Sequence, residues 1–335
     1  MSSPEEVRRS TDEDGKDRPD VSILVVAYNS ADLIGACLDS IPAACARFEY
    51  EVLLIDNGDG STQALVEQDY PDVKIVASQG NVGFAAGNNL LAKQARGRNL
   101  LLLNPDVEMK PHALDFLLEA SATYSDAAAW GGVTLDERDR PDLGNTVQVP
   151  SIYEMASRLL GRSSAARNDN DRFDTDVRVE AHSGSFVMFD RDAWDEVGGL
   201  DPRYFLYCEE VDLFYRLAKK GHTFWRIAAA QARHDIGHGE AASSKRELYL
   251  NAGVMQFTRL HWSKPASFAA FLLIWMSALQ RVAVGTVFGS ISAGMARARD
   301  KYRLVAGSPG YWRYGYDPSK GLLTKLRSSK SGSGD

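Results

Sequence analysis

The run Leu100-Leu101-Leu102-Leu103-Asn104-Pro105-Asp106-Val107 constrains the fold of this chain more than any other stretch. Four leucines closed by a turn signal read as a buried strand. Pro105 has no N–H to donate to a ladder, so the strand ends there. Asp106 is then held at a carboxyl strand edge, where open α/β sheets bind their ligands. One carboxylate on a rigid edge suits a divalent metal held against a diphosphate. Taken alone, the same residues also describe an Asn-Pro turn with a solvated acid.

The surrounding pattern is that of alternating strands and helices. Val21 to Tyr28 is a β-rich run ending at Asn29-Ser30, with Ser30 placed to cap a helix through residues 38–41. Residues 51–55 form a second strand that stops at Asp56-Asn57-Gly58. Residues 73–76 form a third, followed by a Gly/Asn-rich turn and a helix near residues 88–95. Such βαβ spacing predicts a mainly parallel sheet. The first strand-to-helix turn, Tyr28-Asn29-Ser30-Ala31-Asp32, has no glycine, which excludes both a dinucleotide fingerprint and a P-loop there. Gly80, Gly83 and Gly87 suit a backbone that closely approaches a ligand, or a plain connecting turn.

Farther along, residues 136–178 read as polar and irregular with one helical patch at 152–160, and 162–176 as a lid or binding loop. A strand at 185–189 and a short helix ending in Gly198-Gly199 follow. Then an aromatic cluster runs into Glu209, Glu210 and Asp212 at the start of a helix closed by Gly221. The helix dipole stabilises acids in a first turn. Three are more than capping needs, and a carboxylate beside aromatic rings is how a general base is desolvated. His234 and His238 are spaced i, i+4, but Gly237 and Gly239 argue against a helical zinc pair. A single histidine joining a carboxylate-held metal fits better.

With 335 residues and a formal charge of −7, the chain can bury a large core and is no general nucleic-acid binder. Cys37, Cys45 and Cys208 form no CxxC pair, which fits a reducing, cytoplasmic setting. Residues 1–19 contain no apolar leader and read as disordered. Charge is concentrated at the other end: between Arg281 and Lys330 there are ten Lys/Arg and two Asp. That basic stretch follows an apolar one, residues 266–279, which Gln280-Arg281 interrupt before a second apolar run at 282–291. Tyr311, Trp312, Tyr314 and Tyr316 supply an aromatic belt. The combination predicts a peripheral anchor on the inner face of the cell membrane, with anionic lipid as a partner. The competing reading is a helical pair buried on the catalytic domain or in a homodimer.

The order of these segments resembles the family 2 glycosyltransferases, nearest the bacterial branch containing rhamnosyltransferases of cell-surface polysaccharide synthesis. The resemblance is carried by Val26-Ala27-Tyr28-Asn29, Ile55-Asp56-Asn57, residues 81–89, Leu103-Asn104-Pro105-Asp106, Gly198 to Asp201, Glu209 to Leu213, and His234 with Gly237. It implies a GT-A fold, an α/β Rossmann-like sheet flanked by helices, over residues 20–262. Residues 20–110 would form the nucleotide-sugar half and 111–262 the acceptor half. A helical extension would follow at 263–327, and a polar tail at 328–335. It also implies a nucleotide-diphosphate sugar donor, rhamnose being the sugar suggested, and a glycan or lipid-linked acceptor in cell-envelope synthesis. Ala27, Asn29, Asp56, Asn81, Gly83, Asn88, Asn104 and Asp106 would line the donor, with Asp56 on the base. Asp106 and His234 would hold Mg²⁺ or Mn²⁺, Glu210 would be the catalytic base of an inverting displacement, and Glu209 and Asp212 would stand on the acceptor side. Asn104 replaces the first acid of the family's Asp-x-Asp, leaving one protein carboxylate. Two other readings compete: a nucleotidyltransferase, which normally carries a Gly-rich loop after its first strand, and a non-catalytic sugar-nucleotide or glycan binder on the same fold.

Overall fold

A computed structural model describes residues 18–141, 146–161, 173–234 and 244–316. The N-terminal stretch 1–17, residues 162–172 of the expected lid, Gly237, His238 and the tail from residue 317 lie outside the described residues. The chain divides into two compact bodies.

The first body is built on a nine-stranded sheet of order β3-β2-β1-β4-β8-β6-β9-β5, with β7 paired to β9. Its strands are β1 (Val21–Ala27), β2 (Tyr50–Asp56), β3 (Lys74–Ile75), β4 (Asn99–Leu103), β5 (Val107–Met109), β6 (Ala127–Leu135), β7 (Val177–Arg178), β8 (Phe186–Asp190) and β9 (Thr223–His234). β1, β2, β3, β4, β6 and β9 point one way; β5, β7 and β8 run against them. Every residue of β1 and of β6 is buried, as expected for strands covered on both faces. Helices α1 (Ile34–Ala44), α2 (Ser61–Asp69), α3 (Phe84–Gln94), α4 (Ala113–Thr123) and α6 (Arg191–Glu196) connect the strands. One core cluster joins Ile23, Val25 and Leu101 in the sheet to Ile34, Leu38 and Ile41 of α1 and to Leu114 and Leu117 of α4.

Parallel strands with matched register end together. Ala27 sits opposite Asp56, and Leu24 opposite Leu102, so the chain leaves β1, β2 and β4 at the same sheet edge. Several local expectations change here. Ser30 is not a side-chain cap: α1 starts at Ile34, the Ser30 carbonyl accepts the Leu33 and Ile34 N–H groups, and its hydroxyl turns back to Tyr28. The chain resumes pairing as β5 from Val107, two residues after Pro105. β9 runs on to His234 because β6 and β5 supply ladder partners along its second half.

The second body gathers α5 (Ile152–Leu159), residues 201–212 with the first turn of α7 (Glu209–Lys219), α8 (Ser244–His261), α9 (Lys264–Phe288), α10 (Ala293–Gly307) and α11 (Pro309–Trp312). The expected division at 262/263 falls inside it, between α8 and α9, which pack together. Leu248, Ala252 and Met255 of α8 share a core with Ala278 of α9, Val305 and Ala306 of α10, and Trp312. Trp275 and Trp312 each donate their indole N–H to a carbonyl of α10, at 3.0 and 2.9 Å. Gln280-Arg281 do not interrupt α9. Both are good helix formers, so they break the hydropathy of the segment and leave its hydrogen-bond ladder whole. By length and composition α9 is long and apolar enough to cross a membrane. Midway along it, however, the Arg281 guanidinium hydrogen-bonds Ser277 and lies 4.8 Å from the Tyr302 ring centroid.

Candidate active site

The shared strand edge of the first body collects most of the expected donor residues. Asn29 leaves β1 in the left-handed region, φ 51°, which Asn tolerates. Its side chain lies so close to Gly58 that a Cβ there would stand 2.6 Å from Asn29 Oδ1 and 3.0 Å from Asp56 Oδ1. Ala27 is buried, and its carbonyl accepts the Asn57 N–H at 2.8 Å. Asp56 is buried with both oxygens engaged: Oδ1 takes the Gly58 N–H at 2.7 Å and Oδ2 the Gln63 N–H at 3.0 Å. It therefore closes the turn and satisfies a free donor at the N-terminus of α2.

Asn57 was not among the expected site residues. Its amide nitrogen donates to the Gly83 carbonyl at 3.1 Å, and its Oδ1 is buried without a donor. It ties the end of β2 to the Asn81–Gly83 turn, where Asn81 Oδ1 accepts the Gly83 N–H and Gly83 takes φ 84°. Asn88 is buried in α3. Its Nδ2 donates to the Phe84 carbonyl, and its Oδ1 has no donor. Buried amide oxygens with no donor among the described residues are the sort of acceptor a ligand donor would satisfy.

Asn104 turns the chain after β4, its carbonyl accepting the Val107 N–H at 3.1 Å. β5 then pairs antiparallel with β9, Val107 opposite His234. Asp106, one residue earlier, comes to lie beside that histidine, Oδ1 3.4 Å from Nε2. Asp106 Oδ1 is shielded from solvent and receives no hydrogen bond from the described residues. A carboxylate oxygen lacking a donor beside an imidazole nitrogen fits two protein ligands of a hard divalent ion, with phosphate oxygens and water completing the shell. No cluster of three potential protein ligands occurs among the described residues.

The acid group at the start of α7 belongs to the second body. Two consecutive non-glycine residues, Tyr207 and Cys208, precede it at φ 71° and 69°. Such backbone persists only where neighbours over-determine it. Here a Cβ at Gly253 of α8 would collide with the Tyr207 carbonyl, and the Tyr316 hydroxyl donates to the Leu206 and Tyr249 carbonyls. Asp212 is wholly buried. His261 Nε2 lies 2.6 Å from its Oδ1, and the Tyr204 hydroxyl donates to the same oxygen at 3.3 Å. Asp212 is thus a brace beneath the turn, held by residues that no local spacing marked out.

Glu209 and Glu210 differ from Asp212: Oε2 of each is shielded and receives no hydrogen bond from the described residues. Glu209 is buried and Glu210 half-buried. Burial raises both carboxyls above the ordinary carboxylate range, and the charge of Glu210 raises Glu209 further.

Residues 22–198 match the model of the family described as Glycosyl transferase family 2. The chain belongs to this family. It is a glycosyltransferase, and its relatives narrow the branch. It is 31% identical over 242 residues to N-acetylglucosaminyl-diphospho-decaprenol L-rhamnosyltransferase of Mycobacterium tuberculosis (strain ATCC 25618 / H37Rv), covering 64% of this chain and 76% of the relative. It is 24% identical over 227 residues to rhamnosyltransferase WbbL of Escherichia coli (strain K12), covering 65% and 84%. Among solved structures, mannosyltransferase PcManGT from Pyrobaculum calidifontis, in complex with GDP-Man and Mn²⁺, superposes with TM-score 0.54 at 16% identity, over 92% of this chain and 88% of that one. That likeness concerns the fold, which is GT-A as expected.

The family match stops short of the α7 acids and His234, so the roles of these residues rest on their chemistry. One consequence is thermodynamic. A carboxyl whose folded pKa is raised keeps its proton to higher pH in the native glycosyltransferase than in the unfolded chain. Its contribution to stability is present below the unfolded pKa and is lost as pH rises through the folded one. Glu209→Gln supplies a neutral side chain of the same size. It should raise the melting temperature at pH 8 by a few degrees and leave it nearly unchanged at pH 4. A calorimetric pH series showing equal shifts at both ends would remove titration of Glu209 as the cause.

Proposed function

We propose that this glycosyltransferase inverts the anomeric centre of a nucleotide-diphosphate sugar, rhamnose being the first candidate, as it transfers the sugar to a lipid-linked glycan acceptor of cell-envelope polysaccharide synthesis. The observation that carries the reading is the β5–β9 register, which sets Asp106 beside His234 in the body that also holds the buried Asn57 and Asn88 oxygens, unpaired among the described residues. The two named rhamnosyltransferases, one of them acting in its printed name on a decaprenol-linked diphosphate sugar, support the donor and acceptor classes.

In this reading the ends of β1, β2 and α3 receive the nucleotide: Asn29 and Asp56 on the base and ribose side, Asn81, Gly83 and Asn88 toward the diphosphate. Asp106 and His234 hold Mg²⁺ or Mn²⁺, which supplies positive charge to the departing diphosphate. Glu210 accepts the proton of the acceptor hydroxyl as that oxygen bonds to the anomeric carbon. The bond from the anomeric carbon to the diphosphate oxygen breaks in the same step, and the electron pair leaves with the nucleoside diphosphate. Glu209 lies on the acceptor side, while Asp212, His261 and Tyr204 hold the turn. The exposed apolar side chains of α9 and its flanking cations rest on the inner face of the cell membrane, where a lipid-linked acceptor is found.

A panel of nucleotide sugars assayed for nucleoside diphosphate release, with and without a polyprenyl-diphosphate sugar acceptor, tests the proposal. Acceptor-dependent release from one donor is the expected result. Release of inorganic diphosphate would point to nucleotidyl transfer, and donor binding without any release would point to a binding protein.

A further inference from the structure

The second body contains a cavity of about 330 Å³ formed by the end of α8, the start of α9 and the segment after α11. Its walls are of two kinds. Trp262, Phe271 and Tyr314 contribute apolar ring surface, and Arg259, Lys264 and Arg313 contribute cations. Among the described residues, no acidic side chain lines it. Arg259 and Arg313 both stack on Tyr314, their Cζ atoms 5.4 and 4.3 Å from the ring centroid. Two guanidiniums are thereby gathered at one aromatic ring of the cavity lining, and an anion bound in the cavity would offset their charge. Arg259, Lys264 and Arg313 form no ion pair with a carboxylate among the described residues.

We propose that this cavity is a binding site for the phosphate headgroup of an anionic membrane phospholipid, with the first part of its acyl chain against the aromatic wall. Charge and shape select the occupant. Three cations ask for a phosphate, and the planar guanidiniums suit its oxygens. The aromatic wall asks for hydrocarbon. The neighbouring surface of α9 continues that preference, since Phe268, Met276, Leu279, Val287 and Phe288 are exposed. The chain's own segment beyond residue 316 is a poor occupant by charge, with Lys320, Lys325, Arg327 and Lys330 against Asp317 and Asp335. The inference rests on the membrane reading above and adds a defined site to it.

The test is partition of the full chain onto vesicles, with no sugar nucleotide present. Wild type should bind phosphatidylcholine vesicles containing about 30 mol% phosphatidylglycerol and be recovered from pure phosphatidylcholine, because each cation near an anionic surface adds to the attraction. Neutralising the site with R259Q/R313Q should weaken partition about thirtyfold. Neutralising two exposed cations on α10 with R297Q/R303Q should cost clearly less. Equal losses in the two double variants would overturn the site and leave only diffuse charge. Equal recovery of wild type in the soluble fraction with both vesicle types would instead overturn the membrane reading beneath it. Bromine-labelled phosphatidylglycerol gives a second readout, independent of affinity. It should quench fluorescence that Trp262→Phe removes, and unchanged quenching in that variant would place the lipid elsewhere. Release of bound protein by inorganic phosphate at roughly millimolar level and constant ionic strength would reassign the cavity to a soluble anion.

Discussion

Glu210→Gln should lose about 10²–10⁴ in turnover while donor affinity stays close to wild type. The amide keeps the size and much of the hydrogen bonding of the carboxylate but cannot take the acceptor proton. Glu210 is the better choice of base than its neighbours on three grounds. Asp212 is buried and committed to His261 and Tyr204. Glu209 is fully buried as well, whereas Glu210 is only partly so and can meet a hydroxyl. In a helix Glu209 and Asp212 share a face, and Glu210 points about 100° away from Glu209. Because burial raises the Glu210 carboxyl, the active, ionised form accumulates only above the ordinary carboxylate range. The rate should therefore climb with pH on a limb displaced upward from that of a free glutamate, and Glu210→Gln should flatten the limb. Transfer rate, donor dissociation constant and pH profile measured on one preparation test the assignment together. Near-normal transfer by Glu210→Gln beside an inactive Glu209→Gln would move the base by one residue.

Asp106→Asn should lower kcat/KM by on the order of 10²-fold or more and weaken the dependence of donor binding on Mg²⁺ or Mn²⁺. Asn104 stands where a second acid would sit, so under the proposed mechanism the substitution removes the one carboxylate that would hold the ion. His234→Ala should do less, since a neutral imidazole contributes a ligand but no counter-charge. Titrating the donor with and without metal separates the effect from misfolding, because metal-free binding should be almost unchanged. If the Asn variant binds donor with the same metal dependence as wild type, the ion is held elsewhere.

The two variants probe different kinds of information in the chain. Where β1, β2 and β4 stop is legible from local chemistry alone: an apolar run meets Asn29-Ser30, Asp56-Asn57 or Asn104-Pro105, residues that favour turns or cannot continue a ladder. The same holds for the acids in the first turn of α7 and for Gly83, whose positive φ opens α3. Family resemblance then supplied roles for those residues, and the fold and family agree with it. Hydropathy misled at Gln280-Arg281, because it measures burial and α9 is held by a backbone ladder to which those side chains are indifferent. β5 was also illegible: three residues after a proline turn form a strand only because β9 lies beside them.

What the sequence by itself determined, then, is which chemical groups arrive at the ends of elements, since turn and helix-start preferences act over a few neighbouring residues. Which of those groups meet was decided by the tertiary structure. Asp106 faces His234 only through the β5–β9 register, and a slip of one residue would turn every side chain of that strand to the other face. Asp212 meets His261 across 49 residues because α8 packs against the strained Tyr207-Cys208 turn, and Asn57 reaches the Gly83 carbonyl because the end of β2 lies beside the start of α3. Those contacts depend on distant packing, which no spacing rule along the chain encodes.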